Sequence, residues 1–443
     1  RLYMVNIPPQ VRLALSALCY AGFQAHIVGG CVRDFLLERT PADYDITTNA
    51  LPEQTQTIFS SFKCIDIGKK HGTIAVIIDK MQIEITTYRI DGIYSDKRHP
   101  ESVSFSSSLC DDLSRRDFTI NALAYNESSG IADYFNGQND LKNHIIRCVG
   151  DPQKRFEEDA LRIMRAIRFS SQLGFNIDPL TENYIFLQKD NLLFISAERL
   201  RVELEKLLLG KSAFDILMKY YQVIAVFIPE ISPCVGFQQH SKYHKYTVWE
   251  HIVRTVCNSP DDIIIKLTML MHDLGKPECF TLDQNNRGHF KNHPAKGAEI
   301  SEKILKRLKY DNNTIKSVIT LIKYHDYEFR SRKSIKKIMS VTGPELFMKL
   351  IDVQQADADS KDGQCNSPLN DLPALKAAVE EILSKNECLN IKDLKINGNH
   401  LIALGASGKQ IGVILNTLLD NVINGNLENN YDDLNEYAKT IIL

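Results

Sequence analysis

Gly29, Gly30 and Arg33 lie a few residues ahead of Asp43 and Asp45. Adjacent glycines let a backbone approach a triphosphate closely, and the arginine puts positive charge beside it. Aspartates spaced i, i+2 on a β-strand project to the same side, where they can share divalent metal ions. A phosphate cradle beside paired carboxylates is the equipment for metal-assisted nucleotidyl transfer. Either half alone reads as a turn or a solvated acidic loop; their adjacency favours the chemistry. Glu84, in the alternating stretch Met81–Arg89, adds a third carboxylate if its strand lies beside the aspartates. It would support a metal or help to deprotonate an attacking 3′-hydroxyl. Adjacent Arg115 and Arg116 are expected to open a helix over 117–125 and to hold triphosphate oxygens. Asp117 and Asn121, i and i+4 on that helix, would face one ribose. Between these motifs, Arg89–Pro100 carries glycine, opposite charges and little apolar content, as a mobile lid over the nucleotide would.

The elements that must position these groups are legible in the hydrophobic pattern. Strands are expected at Tyr44–Thr48, Thr73–Ile78 and Gln82–Tyr88, and helices at Pro8–Ala21 and Pro52–Ser60. After Asp151-Pro152 the strand signals fade and amphipathic helices follow one another. The fold class is therefore an α+β head followed by an all-α remainder. The expected domains are residues 1–147, 148–238, 239–360 and 361–443. By length alone, a chain of 443 residues is expected to hold about three domains, each long enough for its own core.

The formal net charge is −2, so a basic surface for nucleic acid must be local. The 10 cysteines are scattered with no CxxC pair, which suggests neither a disulfide framework nor a zinc ribbon and suits a reducing, cytoplasmic setting. No apolar run is long enough to span a bilayer, and no charged-then-apolar leader opens the chain; no membrane role is expected.

Taken together, Gly-Gly-x-Val-Arg-Asp (29–34), Asp-x-Asp (43–45) and Arg-Arg-Asp-x-x-x-Asn-Ala (115–122) resemble the class II tRNA nucleotidyltransferases. These are the CCA-adding enzymes, with the bacterial poly(A) polymerases as relatives, in the DNA polymerase beta superfamily. The resemblance runs over nearly the whole chain. It implies addition of C, C and A to the tRNA 3′ end from CTP and ATP, with Mg2+ held by Asp43 and Asp45. It also implies that Glu-Asp-x-x-Arg, Glu158 to Arg162, selects the incoming base. Asp159 and Arg162 would read the base edge, Glu158 would steer Arg162, and Arg165 lies on the same helix. That helix is expected to run unbroken over Arg155–Phe169, with Phe156, Ala160, Ile163 and Ile167 as its apolar stripe. Arg199 and Glu203 match a further motif and would brace this region.

The middle of the chain is rich in histidine and resembles an HD-domain phosphohydrolase. On that resemblance His251, His272, Asp273 and Asp357 form the basic ligand set, and His293 and His325 add a second metal. Mixed imidazole and carboxylate ligation suits Mn, Fe, Ni, Zn or Mg. Removal of phosphates at RNA ends, including a 2′,3′-cyclic phosphate, would be its activity. In the tail, the glycine turn before Lys409 opens a helix that resembles the part gripping outer tRNA, and Arg330, Arg332 and Lys333 form a further basic cluster. The rival activities are A-only addition, polyadenylation, and a metal-dependent RNA-end or nucleotide phosphohydrolase. The CC-only members of the family that the chain resembles lack this lid, so on that resemblance Asp91, Gly92, Tyr94, Asp96, Arg98 and Pro100 disfavour CC-only addition.

Overall fold

The computed structural model describes residues 7–92, 103–240, 245–361 and 372–442. The chain forms two compact units, Arg1–Pro229 and Glu230–Leu443.

The first unit opens with helix α1 (Pro9–Tyr20), strand β1 (Ala25–Val28), helix α2 (Gly30–Leu36), strand β2 (Asp45–Thr48) and helix α3 (Pro52–Ile58). Strands β3 (Lys63–Gly68), β4 (Thr73–Ile78) and β5 (Met81–Thr87) follow. A separate pair, β6 (Arg89–Asp91) with β7 (Val103–Phe105), precedes helix α4 (Leu109–Ser114), strands β8 (Ala124–Asn126) and β9 (Gly130–Ala132), and helix α5 (Gly137–Lys142). The main sheet has the order β3-β4-β5-β2-β1-β8-β9. Its central strands are rich in Ile and Val, whose branched side chains suit a pleated, covered surface. Ile27, Ile46, Ile74, Val76, Ile83 and Ile85 are fully buried there. The β2–β5 pair is parallel, and its register sets Asp45 directly opposite Glu84.

The expected helix over 117–125 does not form. Residues 119–121 make a single 3-10 turn and Ala124–Asn126 is a strand. Arg115 and Arg116 therefore close helix α4 instead of opening a new one. Ser108 starts α4 early by accepting a hydrogen bond from the Asp111 amide at 3.4 Å. Of the expected lid, Arg89 and Ile90 belong to strand β6, while Tyr94, Asp96, Arg98 and Pro100 lie outside the described residues.

Helices α6 (Pro152–Glu158), α7 (Leu161–Leu173), α8 (Pro179–Gln188), α9 (Ala197–Leu208), α10 (Ala213–Lys219) and α11 (Tyr221–Ala225) follow in the first unit, with a short parallel pair of Ile145–Ile146 and Asn176–Ile177. The expected continuous helix over 155–169 is broken between α6 and α7. Asp159 there is extended, at φ −143° and ψ 101°. The apolar stripe nevertheless holds: Phe156, Ala160, Ile163 and Ile167 are all fully buried.

Among its described residues the second unit is helical apart from one short hairpin, Thr281–Leu282 with Gly288–His289. It contains α12 (Val248–Asn258), α13 (Ile263–Met271), α14 (Lys276–Cys279), α15 (His293–Arg307), α16 (Asn312–Tyr324), α17 (Arg332–Thr342) and α18 (Pro344–Asp359). Helices α19 (Leu372–Ser384), α20 (Gly398–Ala403), α21 (Lys409–Ile423) and α22 (Tyr431–Ile442) follow, and α20–α22 share a core around Leu401, Leu418 and Leu434. The chain's one tryptophan, Trp249, is buried in α12 two residues before His251. None of the described helices is long and apolar enough to cross a membrane.

Candidate functional site

In the first unit, the site is built where β2 meets β5. Because in-register neighbours point to the same face, Asp45 and Glu84 lie side by side. Asp43 precedes β2 and adds negative charge to the same place. Burial pushes the Asp45 carboxyl up to about 6; Arg116 opposes the rise, and Asp43 and Glu84 add to it. Carboxylates crowded in this way gain from a divalent cation, so this donor set fits one.

Arg116 faces the glycine turn. Gly29 has φ 81° and ψ −132°, a conformation that only glycine adopts readily. A Cβ at Gly29 would lie 2.9 Å from Nη1 of Arg116. The absence of a side chain thus lets the guanidinium lie over the turn, and its Nε has no hydrogen-bond partner. Arg115 is differently employed. It donates to the fully buried Asp112 at 3.0 and 2.8 Å, and Thr47 donates to the other oxygen at 2.9 Å. Burial works against ionisation of Asp112, but Arg115 and Arg116 hold its carboxyl below the ordinary value.

Asp117 and Asn121 do meet, as the i, i+4 spacing required, but through a turn. Asn121 donates to Asp117 Oδ1 at 3.0 Å and accepts from Arg33 at 2.8 Å. Arg165 donates to Asp117 Oδ2 at 2.7 Å and keeps its buried carboxyl far below the usual range. Helix α7 is thereby tied to the glycine turn. Its Phe169 is enclosed by guanidinium groups, with Arg168 at 3.6 Å, Arg33 at 4.9 Å and Arg165 at 5.3 Å from the ring centre. Arg168 and Phe169 were not singled out from the sequence, where they read as ordinary helix residues.

The expected base-reading groups form one network. Glu158 accepts from Arg162 at 2.6 Å and from Arg155 at 2.6 Å. Arg162 is buried and also donates to the Arg115 carbonyl at 2.9 Å. This bond places the arginine of the Glu-Asp-x-x-Arg motif against the end of helix α4. Arg199 and Glu203 brace this region through different partners. Arg199 binds Asp159 through both nitrogens, at 3.2 and 2.7 Å, whereas Glu203 accepts from Arg168 at 2.8 Å.

The second unit gathers the histidine-rich motifs. His251 on α12, His272 and Asp273 after α13, and Asp357 on α18 converge; His251 Nε2 stands 2.9 Å from Asp357 and 3.4 Å from Asp273. His293 and His325 approach the other Asp273 oxygen at 3.4 and 3.9 Å. Ligand atoms of His251, His272 and Asp357, and of His272, Asp273 and His325, lie within 4.8 Å of one another. The Nδ1 atoms of His272, His293 and His325 each donate to a backbone carbonyl, at 2.8, 2.8 and 2.7 Å. With Nδ1 committed in this way each Nε2 is turned inward, the ring atom that a metal would take up. Neither oxygen of the buried Asp273 accepts a well-formed hydrogen bond, although Lys276 Nζ lies 2.7 Å away. Burial disfavours charge on His272, yet Asp273 and Asp357 raise it to about 9; burial depresses His325 to about 3. A buried set of imidazole nitrogens and carboxylate oxygens converging on one point fits a divalent metal. A cavity of about 730 Å³ opens onto it, lined by Lys276, Phe290, His293, Asp326 and Lys361 among others. Lys276 was not singled out from the sequence.

In the tail, Gly405 and Gly408 have φ 100° and 56° and end in the start of α21 at Lys409, as expected. The basic cluster is partly neutralised: Arg330 pairs with Glu328, and Arg332 bridges to Glu381 and Glu387. Lys333 reaches to within 3.9 Å of the Cβ position at Gly425.

Residues 25–147 match the family model of the poly(A) polymerase head domain. Residues 174–234 match the probable RNA and SrmB-binding site of polymerase A, and 295–438 match the putative domain 2 of tRNA nucleotidyltransferase. A CCA-adding enzyme of Lactobacillus helveticus is 51% identical over 207 residues, which is 46% of this chain and 51% of that enzyme. One from Leuconostoc mesenteroides is 33% identical over 442 residues, covering 97% of this chain and 95% of that enzyme. The crystal structure of the Bacillus stearothermophilus CCA-adding enzyme in complex with CTP matches with a TM-score of 0.76, at 27% identity and 98% coverage of both chains. The carboxylate-bearing sheet, the helical remainder and this end-to-end similarity have one conclusion: the chain belongs to the CCA-adding enzymes, a family of tRNA nucleotidyltransferases.

Proposed function

We propose that this protein adds C, C and A to the 3′ end of tRNA from CTP and ATP, without a nucleic-acid template. The observation that carries the reading is the register of Asp45 against Glu84, with Asp43 beside them and Arg116 across the glycine turn. Asp43 and Asp45 would hold Mg2+, which offsets triphosphate charge and makes the terminal hydroxyl a better nucleophile. Glu84 keeps the cluster acidic and stands ready to take the hydroxyl proton. Arg116 and Arg33 face the phosphates, and Arg115 anchors the end of α4 through Asp112. Asn121 and Asp117 belong beside the ribose, tied to α7 by Arg165. Asp159 accepts from the exocyclic amino group that cytosine and adenine share, and Arg162 donates to the neighbouring ring nitrogen. The expected domains 1–147, 148–238, 239–360 and 361–443 would then be catalytic head, selecting neck, histidine-rich body and RNA-gripping tail. Lys409, Arg330 and Lys333 are the RNA-facing cations of that scheme, and the setting is the cytoplasm.

The test uses tRNAs lacking CCA, CA or A, with labelled CTP and ATP. Stepwise completion of all three supports the reading. Extension of only the last substrate means an A-adding enzyme, and long A tracts mean a poly(A) polymerase.

A second reading concerns the buried cluster of His251, His272, Asp273, His293, His325 and Asp357. The inward Nε2 atoms favour a divalent metal site, with Mn, Fe, Ni, Zn or Mg as occupants, and hydrolysis of phosphoesters at RNA ends as its chemistry. Metal content of the purified protein, with phosphatase assays before and after Asp273→Ala, tests it; unchanged hydrolysis in the variant counts against it.

A further inference from the structure

Asp159 occupies the single extended position between α6 and α7, and its carboxylate is not free to turn. Oδ1 accepts from the Leu161 amide at 3.1 Å and from Arg199 Nη1 at 3.2 Å. Oδ2 accepts from Arg199 Nη2 at 2.7 Å. A fork-to-fork pair of this kind fixes the plane of the carboxylate as well as its position. Arg199 comes from α9, forty positions later in the chain, so the constraint is tertiary.

We infer that Arg199 is a specificity-determining positioning residue, acting through Asp159 to set which bases are accepted. The inference rests on the proposed role of Asp159 in reading the base. Cytosine and adenine present an amino donor beside a ring-nitrogen acceptor. Uracil and guanine present a carbonyl acceptor beside a ring N–H. A carboxylate held in one plane attracts the first pair and repels the second. A carboxylate free to swing aside loses both the attraction and the repulsion, and Arg162 alone then donates to either class. Arg162 has its own brace, Glu158, at 2.6 Å, so the two halves of the selector are held independently.

The neighbouring residue Glu203 supplies the control. It lies one turn further along α9 and holds Arg168 at 2.8 Å, so it secures the same helix without touching Asp159. Arg199→Lys keeps the charge and loses the fork. Single-nucleotide addition is measured with CTP, ATP, UTP and GTP on tRNA lacking CCA or A, with thermal melting run in parallel. In Arg199→Lys the preference for CTP over UTP is expected to fall by roughly tenfold or more, about 1.4 kcal/mol. The loss should fall mainly on KM for CTP. Arg199→Gln, neutral and with a single donor group, should fall further. Glu203→Gln should melt earlier and keep its base preference. The inference is overturned if both Arg199 variants add all four nucleotides at equally reduced rates, or if Glu203→Gln relaxes base choice to the same degree. Wild-type protein that adds neither CTP nor ATP refutes the proposed function instead.

Discussion

Replacing Asp45 by Asn should make the metal-free protein more stable while removing nucleotide addition. Burial, Asp43 and Glu84 raise the Asp45 carboxyl from an ordinary 3.8 to about 6 despite Arg116. At 1.36 kcal/mol per pH unit of displacement, holding it ionised above pH 7 costs about 3 kcal/mol. Asp45 is partly exposed, so solvent reduces the expected gain to about 1.5–3 kcal/mol. The sign follows from linkage: the native state keeps this proton longer than the unfolded chain does. Stability therefore falls as pH rises from 3.8 through about 6, and is low above it. Asn, which has no proton to lose, escapes the penalty. For a unit of this size about 2–4 °C accompanies each kcal/mol, so the first unit should melt roughly 3–12 °C higher at pH 7.5 in chelator. The advantage should shrink to about half at pH 5. Calorimetry of both proteins at the two pH values, with CTP addition assayed alongside, reads all of this. A variant that melts at or below the wild-type temperature at pH 7.5 would refute the electrostatic account of this cluster.

Gly29→Ala forces a side chain into a glycine-only conformation and within 2.9 Å of Arg116. It should cost about 1–3 kcal/mol in urea denaturation and raise KM for CTP. Asp117→Ala strips the partner from Arg165 and Asn121 in a buried site. A loss of about 3–5 kcal/mol is expected by the same measurement, and retention of wild-type stability would contradict the network. For the histidine cluster, a divalent metal at one hundred times its dissociation constant should stabilise the second unit by about 2.7 kcal/mol. Thermal melting with and without chelator measures this, and Asp273→Asn should abolish the response.

The strands of the head were readable because Thr73-Ile-Ala-Val-Ile-Ile78 carries a strong local preference. The pairing of Asp45 with Glu84 was not readable, since it depends on a parallel register between strands 39 positions apart (Thr47 to Thr86). The misplaced helix at 117–125 had a visible signal against it: Ser108 with Asp111 marks a start nine residues earlier than Asp117. The break at Asp159 had only a faint one, an aspartate whose side chain accepts from the Leu161 amide at the start of α7. The pairing of that carboxylate with an arginine forty positions away left no local trace. In the second unit the order of ligand types was legible. The orientation of each imidazole was not, because it is set by carbonyls at the ends of helices and turns.

Trp249 has a practical consequence. It is the chain's one indole, sealed in α12 two positions before a histidine of the buried cluster. Selective excitation of that chromophore leaves the nucleotide-handling unit dark and lights the other alone. Its emission colour and its quenching by a paramagnetic ion therefore follow opening or loading of the histidine-rich unit in isolation, even while the intact enzyme is turning over on RNA.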